Sequence, residues 1–180
     1  MARCFVGVML SQEIRKGVKC LQDWIKSLPI ECKLVEDYNL HVCLSFLGEV
    51  GEDKIIFFSQ LLDKICEKYN SFKVNIVGIK LIPSERYVRV IALGVVDSEI
   101  FERLRKEIVE KIGGDSKPLH VTLCRVRNVL NKQKFLSEIK KNENIQVGSF
   151  VVDRVQIIKS ELQRTGPIYS VIHESKLLEV

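Results

Sequence analysis

Short apolar runs divide the chain into strands and helices, with no linker or low-complexity stretch between them. Residues 3–10 are almost continuously apolar, as expected of a buried strand. Ser11 is placed to cap a helix opened by Glu13 and Ile14. In it Ile14, Val18, Leu21, Ile25 and Leu28 keep helical spacing until Pro29 stops it. Residues 33–35 suit a short strand, and 40–47 alternate like a half-buried one closed by Gly48 and Gly51. Residues 52–69 carry Ile55, Phe58, Leu62, Ile65 and Cys66 on one helical face. Residues 72–82 and 87–96 predict a hairpin turning at Pro83-Ser84-Glu85-Arg86. Asp97 is expected to cap a helix over 98–112 that ends at Gly113-Gly114. Then come a strand over 119–126, a short helix over 131–139, and strands over 148–159 and 168–173.

This order repeats. The first half runs strand, helix, then a strand opening His41-Val42-Cys43-Leu44. The second runs strand, helix, then a strand opening His120-Val121-Thr122-Leu123. The chain has three histidines, and two of them open the same tetrapeptide pattern. A duplication predicts two similar lobes that bring these strands face to face.

Composition sharpens this only in part. With 180 residues the chain suits one domain, residues 1–180, or two small lobes sharing a core. The net charge of +5 is concentrated. Residues 103–141 hold 11 Lys and Arg against 4 Asp and Glu, a local +7 around His120. That stretch fits a polyanionic ligand or simply a solvated helix face. The six cysteines have no C-x-x-C pair or framework spacing, which predicts reduced thiols and a cytoplasmic location. His41 and Cys43 are the one close His/Cys pair, and nothing beside them completes a zinc set. No apolar run approaches the roughly 20 residues of a membrane span, and the first apolar run leads into Ser-Gln-Glu without a small-residue cleavage site.

The chemistry lies in the repeated tetrapeptide. Side chains alternate along a strand, so His41, Cys43 and Ser45 are expected on one face, as are His120, Thr122 and Cys124. Val42, Leu44 and Phe46 would anchor the other face in the core, with Val121 and Leu123. Positions i and i+2 lie ~6–7 Å apart, a separation that lets a phosphate sit between an imidazole and a hydroxyl. Two facing imidazoles can divide acid and base duties near neutral pH, with no metal or cofactor.

On these residues the chain resembles the 2H phosphoesterase superfamily, and more closely its RNA 2′,3′-cyclic phosphodiesterases, also called 2′-5′ RNA ligases. The likeness includes Phe5-Val6-Gly7-Val8, the flanked first motif from Asn39 to Val50, the second motif from His120 to Val126, and the tail from Lys159 to Tyr169. The resemblance implies a bilobal α+β fold, with two antiparallel sheets, outer helices and an active cleft between the lobes. It implies hydrolysis of 2′,3′-cyclic phosphate RNA ends to 2′-phosphates, with reversal as 2′-5′ ligation. His41 would be the proton donor and His120 the proton acceptor. Cys43, Thr122 and Arg125 would bind phosphate, and Phe46 would stack on a base. Regular alternation puts Phe46 and Arg125 on the face away from the histidines, so these roles require a twist or bulge. Cys43 stands where the family has threonine. The partner implied is RNA or a nucleotide with a cyclic phosphate end, bound by a monomer. A second reading stays open: an RNA-end binding module whose catalysis has decayed. His173 lacks the motif and reads as structural.

Overall fold

The computed structural model describes all 180 residues. The elements run β1 (Ala2–Met9), α1 (Gln12–Ile25), β2 (Ile30–Leu34), β3 (His41–Val50), α2 (Glu52–Cys66), β4 (Phe72–Pro83), β5 (Val88–Val96), α3 (Glu99–Lys111), β6 (His120–Val129), α4 (Lys132–Lys141), β7 (Gln146–Val152), β8 (Arg154–Gln163) and β9 (Gly166–Lys176). One lobe contains β3-β1-β8-β9; the other contains β7-β4-β5-β6, with β2 added to β6. All pairings between these strands are antiparallel. The two sheets join through one residue pair, Val42 with Val121, so the strand order is continuous across both lobes.

The expected elements form, with local differences. Ser11 accepts from the Ile14 amide and caps α1, which ends at Ile25, short of Pro29. The strand expected over 148–159 is two strands broken at Asp153, because β7 pairs with β4 while β8 pairs with β1 and β9. Asp97 does not cap α3. It sits at φ 55 and its carboxylate takes the Asn75 side-chain amide, while Ser98 precedes the helix without a capping bond.

Each helix of the repeat lies on the opposite lobe. α1, which follows β1, packs on β6 and β7; α3, which follows β5, packs on β3. One core of 38 buried residues draws on both halves.

Both histidine strands carry a bulge at the same place. Val6 pairs with Ser45 and Gly7 with Cys43, so Leu44 is the extra residue. Ile91 pairs with Cys124 and Ala92 with Thr122, so Leu123 is the extra residue. A bulge disrupts the ladder and leaves its carbonyl in need of another partner. The Leu44 carbonyl accepts from the Ser116 hydroxyl at 2.6 Å, and Arg105 of α3 donates to that hydroxyl at 2.7 Å. The Leu123 carbonyl accepts from the buried Gln22 amide of α1 at 3.1 Å and from the Val35 backbone at 2.9 Å. Gln22 also donates to the Val35 carbonyl at 2.8 Å. Gln22→Leu keeps the volume but removes both donations, so urea unfolding should show a loss of about 1–3 kcal/mol.

Candidate active site

The bulges reverse the pleat just past each histidine. Burial along β3 and β6 has one pattern: His41 and His120 half-buried, the valines buried, Cys43 and Thr122 half-buried, then two consecutive buried residues. Those two are Leu44-Ser45 and Leu123-Cys124, and Phe46 and Arg125 then return to the histidine face. The expectation that Ser45 and Cys124 share that face is therefore corrected. The Ser45 hydroxyl donates to the Gly113 carbonyl at 2.6 Å, and Cys124 is fully buried. Phe46, expected in the core, is corrected likewise. The segment after α3 locks the site strand there, because Phe46 and Asp115 exchange backbone hydrogen bonds of 2.7 and 2.8 Å. The matching segment before the first motif is β2, where Lys33 pairs with Arg125.

The antiparallel register through Val42 and Val121 sets the residue before one valine toward the residue after the other. His41 therefore faces Thr122, and Cys43 faces His120. Each imidazole is held in the same way. His41 Nδ1 lies 2.7 Å from the Asn39 carbonyl, and His120 Nδ1 lies 2.7 Å from the Pro118 carbonyl. A carbonyl only accepts, so Nδ1 carries the proton in both rings and Nε2 is left for chemistry.

The surroundings of the two rings differ. His41 packs against the rings of Phe5, at 4.7 Å, and Tyr169, at 5.4 Å, which touch each other at 5.0 Å. Burial pushes its pKa down to about 4, against the support of the Asn39 carbonyl; the nearby charges of His120 and Arg125 press the same way as burial. At neutral pH His41 is therefore uncharged. Burial, aided by Asp115, pushes the Cys43 thiol up to about 11, so it remains an S–H donor. Burial also raises the Tyr169 phenol, while Arg125 opposes the shift. Arg125, expected at a phosphate, thus acts on both His41 and Tyr169. Phe46 has the Arg3 guanidinium 5.1 Å from its ring centre.

Sequence reasoning gave no role to Arg3, Phe5 or Tyr169, nor to Asn39 beyond its place in the motif. Asn39 is buried; its amide donates to the Pro167 carbonyl at 2.7 Å, tying the β8–β9 hairpin, and with it Tyr169, beside His41. Its place two residues before His41 is the signal that was available. His173 lies outside the site and bonds Asp63 of α2 at 2.8 Å. No group of three or more His, Cys, Asp or Glu side chains is arranged to hold a metal ion. No helix is long and apolar enough to cross a membrane. The basic stretch is divided: Arg105, Lys111 and Lys141 pair with helix glutamates, while Arg125 faces the site.

Known proteins resemble this chain over nearly its whole length. A family model described as LigT like Phosphoesterase matches residues 8–92. An RNA 2′,3′-cyclic phosphodiesterase of Methanothermobacter thermautotrophicus is 34% identical, covering 93% of this chain and 95% of the relative. One from Methanocaldococcus jannaschii is 33% identical, covering 96% and 99%. Among solved structures, a Thermus thermophilus protein superposes with a TM-score of 0.81 at 23% identity, covering 97% of each chain. Escherichia coli LigT in its apo form superposes with a TM-score of 0.77 at 22% identity, covering 98% of each.

The low pKa of His41 has a signed consequence. Its charged form is disfavoured by folding, so its contribution to stability holds above about 6.5 and is lost as pH falls toward 4. A bound anion would oppose that penalty, so anion binding should draw a proton onto the ring. Sulfate does not titrate in this range. Its affinity should rise as pH falls from about 7 to 5, with proton uptake seen by calorimetry in buffers of different ionisation heat. His41→Gln should lose that uptake.

Proposed function

The chain belongs to the LigT-like phosphoesterase family of the 2H superfamily, and on that premise we propose that it hydrolyses RNA 2′,3′-cyclic phosphate ends to 2′-phosphates. The observation that carries this reading is the pair of matched imidazoles. Each is held through Nδ1 with Nε2 left free, and the two sit on either side of the Val42–Val121 junction.

The reaction divides between the two rings. His120 Nε2 takes a proton from water as the water oxygen bonds to phosphorus. The bond from phosphorus to the 3′ oxygen breaks, and His41 gives that oxygen its proton. His41 acquires the proton with the anionic substrate, since without an anion it is neutral. A ring with a weak intrinsic hold on its proton is a ready donor once a phosphate has loaded it. The Thr122 hydroxyl and Cys43 thiol donate to non-bridging oxygens, and Arg125 adds a charge-assisted contact. Phe46 offers a ring for a base. A 5′-hydroxyl in place of water gives 2′-5′ ligation by the same transfers. The crystal structure of Escherichia coli LigT with 3′-AMP supports a nucleotide as ligand. We place the enzyme in the cytosol as a cofactor-free monomer; its six free thiols support that compartment.

Cys43 favours a second reading, an RNA-end binder weakened in catalysis, because a thiol is a poorer donor than the hydroxyl it replaces. The two readings part on turnover. In EDTA, the wild type should convert a short RNA with a 2′,3′-cyclic phosphate into the 2′-phosphate. His41→Ala and His120→Ala should each fall by ~10²–10⁴-fold in kcat. Binding without conversion would select the second reading.

Cys43→Thr restores a hydroxyl worth about 0.5–1.5 kcal/mol as a hydrogen bond. Steady-state kinetics should show kcat/KM rising about 2- to 12-fold. No change would mean that the site has adapted to sulfur.

A further inference from the structure

A groove of about 570 Å³ opens beside His120. Its walls are the end of the β4–β5 hairpin, the segment from Lys117 to His120, and Ile139 of α4. A water's share of liquid is only about 30 Å³, so the groove is far larger than the attacking water requires.

Two lysines stand in it, and neither enters the reaction described above. Lys80 pairs with Ala92, and Ala92 pairs with Thr122, so all three side chains lie on the histidine face. Gly94 pairs with His120. A Cβ at position 94 would lie 2.7 Å from the Val77 carbonyl, 3.1 Å from Lys80 Cε and 3.7 Å from Lys80 Nζ. The Lys80 stem and ammonium therefore lie over Gly94, the residue paired with His120. Lys117 lies one residue before the Pro118 carbonyl that orients His120. Neither lysine belongs to any of the chain's ion pairs. Glu85 and Glu143 also line the groove, and neither forms an ion pair with these lysines. They suit ribose hydroxyls rather than phosphate.

We propose that this groove is a second phosphate subsite, in which Lys80 and Lys117 take the phosphodiester one nucleotide away from the reacting cyclic phosphate. The inference rests on the hydrolytic reading above and deepens it: the preferred substrate is an oligonucleotide end, not a free cyclic mononucleotide.

The test compares adenosine 2′,3′-cyclic phosphate with the dinucleotide ApA ending in the same group. The wild type should favour the dinucleotide about tenfold or more in kcat/KM, chiefly through KM. Lys80→Glu/Lys117→Glu should bring the ratio close to one, and Lys80→Arg/Lys117→Arg should keep it. Taking the ratio within each variant cancels any change at the histidines. The salt slope of dinucleotide binding should fall by about 0.7 in the glutamate variant, the value for one lost single-strand phosphate contact. A ratio near one in the wild type, or one unchanged in the glutamate variant, overturns the subsite. Calorimetry with ApA ending in a 2′-phosphate against 2′-AMP gives the same comparison without turnover. A preference there without hydrolysis keeps the subsite and removes the hydrolytic reading; no preference removes the subsite.

Discussion

The extra residue in each histidine strand, Leu44 and Leu123, is the constraint from which the site follows. A regular pleat would aim Phe46 and Arg125 into the core. One inserted residue turns them back to the face of His41 and His120. The insertion leaves a carbonyl that the ladder does not satisfy, and each half supplies the missing donor from the other: Gln22 for Leu123, and Ser116 backed by Arg105 for Leu44. The bulge therefore shapes the site and binds the two halves together through the same atoms.

Within that symmetric frame the two rings are chemically unequal. Both donate Nδ1–H to the carbonyl two residues upstream. Only His41 is enclosed by Phe5 and Tyr169, and its pKa falls to about 4. Tyr169 comes from β9, the edge strand whose place in the other lobe is held by β7. The ring that the β8–β9 hairpin brings to His41 thus breaks the equivalence of a duplicated pair.

Much of this was legible in the chain. The paired tetrapeptides, the helix after each first strand and the Ser11 cap are local patterns, and local patterns survive folding. The family resemblance added residue roles and the two-lobe plan. The bulges left only the puzzle of Phe46 and Arg125 five residues beyond their histidines, since a bulge depends on the partner strand. Lys80, Arg3 and Tyr169 reach the site across strands far apart in sequence, which no spacing along the chain encodes. Asp153 was missed because an apolar run continues on both sides of it while the chain moves from one sheet to the other. Asp97 has the side chain of a cap but the backbone of a left-handed turn.

The crossing of α1 and α3 onto each other's lobes has a further meaning. Two protomers that trade identical elements make the same arrangement in a domain-swapped dimer. Here both partners of such an exchange lie on one polypeptide, so neither half encloses its own core. Contacts that complete the first lobe await residues synthesised much later in the chain. Loop closure must come before those contacts can reward it, which makes folding a late and collective event. A nascent chain that has passed only its first histidine strand carries an exposed β-sheet edge and an unseated helix. The fold and the meeting of its two histidine strands thus arrive together.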